Sequence, residues 1–406
     1  MLTRRDFLRG TLAATAVGAA VPEIWGNAAQ AATNDGVHHD RVLVVLQLAG
    51  GNDGLNTVVP YTDPSYYRLR PTVGVPADRV LHLDDGVGLH PALSGIKSMY
   101  DAGRVAVVRG AGYPNFTYSH FEAMRIYQQA DPLHPPAGDG WLGRFLGQVP
   151  PAGSALEASA LGEINVPGEL HGPSTPVSVI GSAVGYDFTS RGRHAVQAQD
   201  AYRGTPGPYG AVFDTAMATA VSSVATVRAA TTGYTPKAAY GSDPKKPTGL
   251  GRSLQLAAEL IVGRTGAKVI HVVLGGFDDH AGQTTLHDKA LGSFDAAVSG
   301  FFADLRAHGA ASNVAMLTWS EFGRRPKENA SAGTDHGSAQ PMFLIGDPVR
   351  GGRLYGDEPS LTDLDNGNLR MTTDFRSVYQ SVIADYLGAD PGPVLKGSFP
   401  RLSLFR

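Results

Sequence analysis

Four nearly unbroken apolar stretches, each with a short polar segment at one end, set the terms on which this chain can fold. Val42–Leu48 runs into Ala49-Gly50-Gly51-Asn52-Asp53-Gly54, and Lys268–Leu274 runs into Gly275-Gly276-Phe277-Asp278. Asn313–Trp319 runs into Ser320-Glu321-Phe322-Gly323-Arg324, and Gln340–Gly346 follows Asp335-His336. A shorter run, Val105-Ala106-Val107-Val108, makes a fifth. Continuous apolar runs of this length, several rich in β-branched residues, fit strands covered on both faces.

Helices are expected between them, over Ser119–Ala130, Leu250–Arg264, Leu286–His308 and Phe375–Leu387. Alternating strands and helices predict an α/β chain, a mainly parallel sheet sandwiched by helices. Residues 131–247 are rich in Gly, Pro, Ser and Thr and read as an irregular insertion, with one helix near Tyr209–Ala229.

The N-terminus reads as a removable export signal. Arg4-Arg5-Asp6-Phe7-Leu8 is followed by a small, weakly apolar run from Gly10 to Val21 and by Ala29-Gln30-Ala31, a small-x-small cleavage site. A charged front, an apolar middle and a small-residue end define a signal peptide, and the paired arginines point to the twin-arginine route. The run is too short and alanine-rich to span a membrane. The expectation is a signal at 1–31, a single domain over 32–406, and a periplasmic or extracellular product that meets the twin-arginine translocase during export.

Composition narrows the chemistry. The chain has 42% hydrophobic and 17% charged residues and a net charge of -3, with no block of like charge. A packed globular protein is implied, with no nucleic-acid partner and no membrane span in the mature chain. No cysteine is present, which removes disulfides, thiolate metal sites and a cysteine nucleophile together.

In a parallel sheet, ligands bind outside the carboxyl ends of the strands. Asp53, Asp278 and Glu321 close three of the runs, His280 follows Asp278, and Asp335-His336 precedes the fourth. Carboxylates and neutral imidazoles meeting at one rim suit a divalent cation. Zn²⁺ fits the donors first, with Mn²⁺, Mg²⁺ or Ca²⁺ as alternatives. Each group also has a plainer role open to it: Asp53 as a turn residue, Asp278-Asp279-His280 as a helix cap, Glu321 as an ion-pair partner of Arg324 or Arg325, His336 as a buried, hydrogen-bonded imidazole. Ser119, at the predicted start of a helix, would stand in a positive field that favours phosphate or sulfate, and a nearby cation would activate its hydroxyl. Ser119 with Glu122 three residues on is equally a capping box, and Thr117 is a rival nucleophile. Arg324 is the candidate clamp for a tetrahedral ester. Asn52, His120, His287, Arg325 and Asp335 complete the candidate set.

The ordered motifs Leu-Ala-Gly-Gly-Asn-Asp-Gly-Leu-Asn, Ser-His-Phe-Glu-Ala, Gly-Gly-Phe-Asp-Asp-His, Ser-Glu-Phe-Gly-Arg-Arg and Gly-Thr-Asp-His-Gly, behind a twin-arginine signal, resemble domain-of-unknown-function family 1501 from Arg41 to Leu387. That family is similar to the alkaline phosphatase and sulfatase superfamily. The resemblance implies a three-layer α/β/α sandwich with a metal-dependent ester-hydrolysing site. It places Asp53, Asp278 and His280 as metal ligands, with His287 as a substitute for His280, and Ser119 as nucleophile. Two threadings remain for the last motifs. Either Asp335-His336 completes the second metal site, or Glu321 takes the aspartate role and His336 the final histidine; the second keeps each ligand where its strand places it. Phe322 stands where a histidine ligand is expected, and the Cys- or Ser-x-Pro-x-Arg signature of formylglycine sulfatases is missing. The expectation is therefore an exported hydrolase of phosphate or sulfate esters, carried by a small molecule or a polysaccharide. The alternative is a non-catalytic binding or assembly protein on the same fold; a serine esterase is disfavoured because no Gly-x-Ser-x-Gly elbow occurs.

Overall fold

The computed structural model describes residues 38, 40–84, 86–133, 138–149, 153–172, 176–183, 186, 210–241, 243 and 247–406. Residues 1–31, where a signal is expected, lie outside them. Nine strands form the central sheet: β1 Val42–Leu48, β2 Val105–Gly112, β3 Ala158–Leu161, β4 Val177–Ile180, β5 Val269–Leu274, β6 Val314–Trp319, β7 Gln340–Gly346, β8 Arg353–Tyr355 and β9 Thr373–Asp374. Their order is β8-β2-β7-β6-β1-β5-β3-β4, with β9 pairing the far end of β2. Every pairing is parallel except those that β7 makes with β2 and β6.

The nine helices that matter here are α1 Gly54–Thr57, α2 Pro64–Leu69, α3 Ser94–Asp101, α4 His120–Gln129, α5 Trp141–Leu146, α6 Gly210–Thr231, α7 Gly249–Val262, α8 Gln283–Ala307 and α9 Phe375–Ser381. Side chains alternate across a strand, so β1 shows why its sequence is apolar at every position but Gln47. Val42, Val44, Leu46 and Leu48 pack with residues of α3, α7 and α8, such as Ile96, Leu254 and Phe294. Leu43 and Val45 pack on the other side with Ile126 of α4, Trp141 of α5 and Tyr379 of α9. Two helical layers thus enclose one mostly parallel sheet, the three-layer α/β/α sandwich expected from the sequence.

The stretch 131–247 differs from its expectation. Besides α6, it supplies α5 and two four-residue strands, β3 and β4, that finish one edge of the sheet. Strands of four residues carry too few alternations to stand out from their surroundings. Among the described residues no helix is long and apolar enough to cross a membrane.

Topology explains how distant residues reach one rim. The parallel strands β1, β5, β6 and β2 all end at the same edge. Because β7 runs the other way, its entry also lies there, and its entry is a hairpin of Arg324–Glu328 and Thr334–His336.

Candidate metal centre

Three segments bring their side chains to Asp278, which follows β5. His120 is the first residue of α4. His280 lies two residues beyond Asp278, and His336 ends the hairpin that leads into β7. His120, Asp278 and His336 each present a ligand atom within 4.8 Å of the others.

The hydrogen bonds of the imidazoles fix what each ring offers. His120 donates through Nδ1 to Glu321 Oε1 at 2.8 Å, which leaves Nε2 facing Asp278 Oδ2 at 3.6 Å. His336 donates through Nδ1 to the carbonyl of Tyr118 at 2.9 Å, which leaves Nε2 at 3.1 Å from Asp278 Oδ1. His280 repeats the pattern, with Nδ1 at 3.5 Å from Asp335 Oδ1 and Nε2 at 3.0 Å from Asp278 Oδ1. A ring whose Nδ1–H is spent on a carboxylate or carbonyl has a bare, basic Nε2. The Nε2 atoms of His280 and His336 stand 2.9 Å apart, both beside the same carboxylate oxygen. Lone pairs crowded at this spacing repel unless a cation or proton sits among them, and bonds of about 2.1 Å to a common ion suit it.

Charge points the same way. Asp53, Asp278, Asp279, Glu321 and Asp335 are carboxylates of this rim, and Arg70, Arg324 and Arg325 its guanidiniums. With neutral imidazoles, five negative charges face three positive ones, a balance that a divalent ion would neutralise. Burial works against the ionised form of Asp278, yet hydrogen bonds with His336 and Arg324 hold its pKa at about 2. Burial raises Asp279 to about 6.

Asp53 is not part of the His120–Asp278–His336 group. It caps α1 by accepting from Asn56 N, and its other oxygen pairs with Arg70 Nη1 at 2.5 Å and accepts from Gln283. Burial pushes its pKa up, but the Arg70 guanidinium more than offsets this and the carboxyl stays below its usual range. Glu321 is 1% exposed and stands behind His120, also accepting from Gly50 N at 2.8 Å. Arg324, 2% exposed, donates to the carbonyls of Gly50 at 2.5 Å, Gly51 at 2.7 Å, Phe277 at 2.9 Å and Thr334 at 2.7 Å, and to Asp278 Oδ1 at 2.7 Å. Its guanidinium ties three loops together and is fully engaged there. Arg325 is the guanidinium nearer solvent, bonded to the Tyr118 hydroxyl at 3.2 Å. Asp335 backs His280.

Ser119 is the N-cap of α4, its Oγ accepting from Glu122 N at 3.5 Å, while Thr117 Oγ1 accepts from Ser119 N at 3.2 Å. Glu122 turns to Arg125 at 2.7 Å instead of closing the capping box. Asn52 is buried and takes a bond from Thr57 Oγ1 at 2.9 Å. His287 lies one layer deeper, 3.9 Å from Asp279 Oδ2, and burial lowers it to about 3. Phe322 fills the place where a histidine was expected, with its ring 4.9 Å from that of His120 and 4.4 Å from that of His336. Arg70 and the Tyr118 carbonyl were not anticipated. A lone arginine after a short helix carries no sequence signal, and a carbonyl belongs to every residue.

Two glycines are obligatory where the loops meet. Gly50 has φ +121° and a Cβ there would lie 2.5 Å from Asp278 N; Gly51 has φ +81° and would meet the Phe322 ring.

A three-layer α/β/α sandwich carrying a histidine–carboxylate centre on its strand-end rim is the class that fold and site define. Residues 40–378 match the family described as "Protein of unknown function (DUF1501)", and the chain belongs to that family. No curated protein matches it. Among solved structures it is similar to a protein in the alkaline phosphatase superfamily from Vibrio parahaemolyticus, with TM-score 0.38 and 8% identity over 96% of this chain and 80% of that one. It is also similar to the C-terminal periplasmic domain of EcEptC from Escherichia coli, with TM-score 0.37 and 10% identity over 89% and 88% of the two chains. A third is a mutant (His to Glu) of TAB5 alkaline phosphatase with Mg bound in its M3 site, with TM-score 0.33 and 10% identity over 75% and 91%. These likenesses are distant, and the chemistry has to come from the side chains themselves.

Proposed function

We propose that this chain is an exported hydrolase of phosphate or sulfate esters. It works with a divalent cation held by His120 Nε2, Asp278 and His336 Nε2, with His280 as a further donor. The observation that carries the reading is the pattern of the three imidazoles: each has an acceptor at Nδ1, and each turns Nε2 to one carboxylate. Nitrogen donors with one carboxylate favour Zn²⁺ over Mg²⁺ or Ca²⁺.

When bound, the cation supplies Lewis-acid polarisation of an ester oxygen and lowers the pKa of a nearby hydroxyl. The chain's own groups do the rest. Ser119 is the assigned nucleophile, next in sequence to His120 at the positive end of α4, where an anionic ester is favoured. Its bond from Glu122 N is long, at 3.5 Å, so the hydroxyl is not committed to capping. Attack forms a bond from Ser119 Oγ to phosphorus or sulfur and breaks the bond to the alcohol. Water then releases the acid, so each turnover consumes one water and yields alcohol and inorganic phosphate or sulfate. Arg324 positions Asp278 and the loops, and Arg325 is the guanidinium available to an anionic group. The twin-arginine signal expected at the N-terminus fits export of a chain already folded, with its ion acquired before crossing.

A second reading has one observation in its favour. Asp53 is saturated by Arg70 and Gln283, and Arg324 by backbone carbonyls. A centre with so few free catalytic groups also suits an exported binding protein that keeps a structural ion.

Metal content of the purified protein, followed by turnover of p-nitrophenyl phosphate, phosphonate and sulfate, separates the two. The hydrolase reading expects bound metal and turnover of at least one ester, both lost in Asp278→Ala and His336→Ala. Metal without turnover selects the binding protein, and a wild type that binds no metal ends both.

A further inference from the structure

We propose that the rim holds a single cation per chain, and that the Arg70 guanidinium is built into the place that a second would need at Asp53. The first cation rests on the hydrolase reading; the count, and what neutralises Asp53, rest on separate observations.

The family resemblance brings in Asp53 as a metal ligand, and the structure closes that use. Asp53 Oδ2 accepts from Arg70 Nη1 at 2.5 Å and from Gln283 Nε2, and Oδ1 accepts from Asn56 N at 3.4 Å. An ion bonded to a carboxylate oxygen stands about 2.1 Å away and takes the lone pairs that these donors hold. Neither side-chain donor is free to move aside. Arg70 is 1% exposed, and its remaining N–H groups reach Asn56 Oδ1 at 2.6 Å and the carbonyls of Pro326 at 2.9 Å and Arg325 at 3.0 Å. Gln283 is buried, and Thr334 Oγ1 donates to its Oε1 at 2.6 Å, which turns the amide nitrogen to Asp53. The reverse orientation would set two oxygens against each other.

The neighbouring places are closed as well. Glu321 Oε1 accepts from Gly50 N and from His120 Nδ1, each at 2.8 Å. Phe322 presents a buried ring with no donor atom where the resemblance calls for a histidine, and a Cβ on Gly51 would run into that ring. Asp279 Oδ2 and His287 Nδ1 are buried, without hydrogen-bond partners and 3.9 Å apart. Two donors fall short of the roughly three or four protein ligands of a bound divalent ion, whereas a buried water bridges such groups readily. Among the described residues, the group of three acids or imidazoles that meets within 4.8 Å is His120, Asp278 and His336.

A guanidinium in the second place also changes how the first ion is held. Arg70 ties the segment after β1 to the hairpin that carries His336. Those segments are fixed by the protein's own charge, so the cation meets a preformed site and loads without waiting for a second ion.

The test strips the full chain with a chelator, loads it with Zn²⁺ and, separately, Mn²⁺, and removes loose metal by dialysis. Ions per chain are counted by elemental analysis, and the isotherm is followed by calorimetry, for wild type, Asp53→Asn and Asp278→Asn. Expected is one ion and a single-site isotherm in wild type, and none in Asp278→Asn. Asp53→Asn should keep the ion, with affinity changed by less than the roughly tenfold that loss of an outer-shell partner brings. Two ions per wild-type chain, or loss of the ion from folded Asp53→Asn, overturns the proposal and leaves the hydrolase reading standing. If Asp53→Asn does not fold, the wild-type count decides alone. No ion in wild type, or an ion retained in Asp278→Asn, removes the site of the hydrolase reading and the proposal with it.

Discussion

Asp53 and Asp278 occupy equivalent places, each just past a parallel strand and a pair of glycines, yet their surroundings are opposite. Asp53 is 2% exposed, and its oxygens are taken up by Arg70, Gln283 and the backbone of α1. Asp278 has a half-exposed side chain, and apart from Arg324 its polar neighbours are imidazole nitrogens. One carboxylate is enclosed by its partners inside the protein, and the other shares one guanidinium with three imidazoles at the surface, where the proposed cation would sit. The local motif does not decide between these roles. Arg70 does: it reaches from the end of α2 to Asp53, to Asn56 Oδ1 at 2.6 Å, and to the carbonyls of Pro326 at 2.9 Å and Arg325 at 3.0 Å.

The largest effect should come from breaking the closed side. Arg70→Met strands Asp53 as a buried charge and frees the hairpin carbonyls, with an expected loss of about 3–5 kcal/mol in urea unfolding. Asp53→Asn in the same background should recover part of that loss, because the uncompensated charge goes with it. Acid titration sharpens the point. The folded pKa of Asp53 is lowered, so its pair with Arg70 contributes stability above the unfolded value near about 4 and loses it as pH falls through the lower folded value. The gap between wild type and Arg70→Met should therefore narrow below about pH 4. A gap that stays constant into acid would show that Arg70 acts by packing alone.

On the open side the matching change is smaller. Glu321→Gln keeps the shape but weakens the acceptor behind His120, and metal affinity should drop roughly 10–100-fold. Competition with a chelator measures it. Stability without metal should change much less than in Arg70→Met, and a larger change there would erase the distinction between the two sides. Next in size is Gly50→Ala, which forces a Cβ against Asp278 N at a φ of +121°. Strain of about 1–3 kcal/mol is expected, together with weaker metal binding, since the loop that must yield carries Asp278.

The sandwich was legible because strand interiors carry their own signal. Val42–Leu48 is apolar at nearly every position, since both faces of β1 are covered. The rim was legible as a place, because strand ends and the entry to an antiparallel strand share one edge. Individual roles were not. Gly-Gly-Asn-Asp-Gly and Gly-Gly-Phe-Asp-Asp-His look alike in sequence, and what separates them is a side chain from 17 residues away. His120 was visible only as part of a Ser-His-Phe-Glu-Ala helix start, because its partners Glu321 and Asp278 lie 201 and 158 positions along the chain. Arg324 looked like a free clamp because a sequence cannot show how many carbonyls will face a guanidinium.

The smallest expected change in stability asks the most of the open side. Ser119→Ala removes the N-cap of α4, and loss of such a cap costs about 1 kcal/mol, less here because the Oγ bond is 3.5 Å long. Capping is all that a structural serine would lose, so metal content should stay near wild type. If Ser119 is also the nucleophile, ester turnover falls by several orders of magnitude while the unfolding curve barely moves. That split between a large kinetic and a small thermodynamic effect has no explanation in folding. Turnover that survives Ser119→Ala would shift the attack to water or Thr117 Oγ1, and Thr117→Ala, alone and with Ser119→Ala, then tells which.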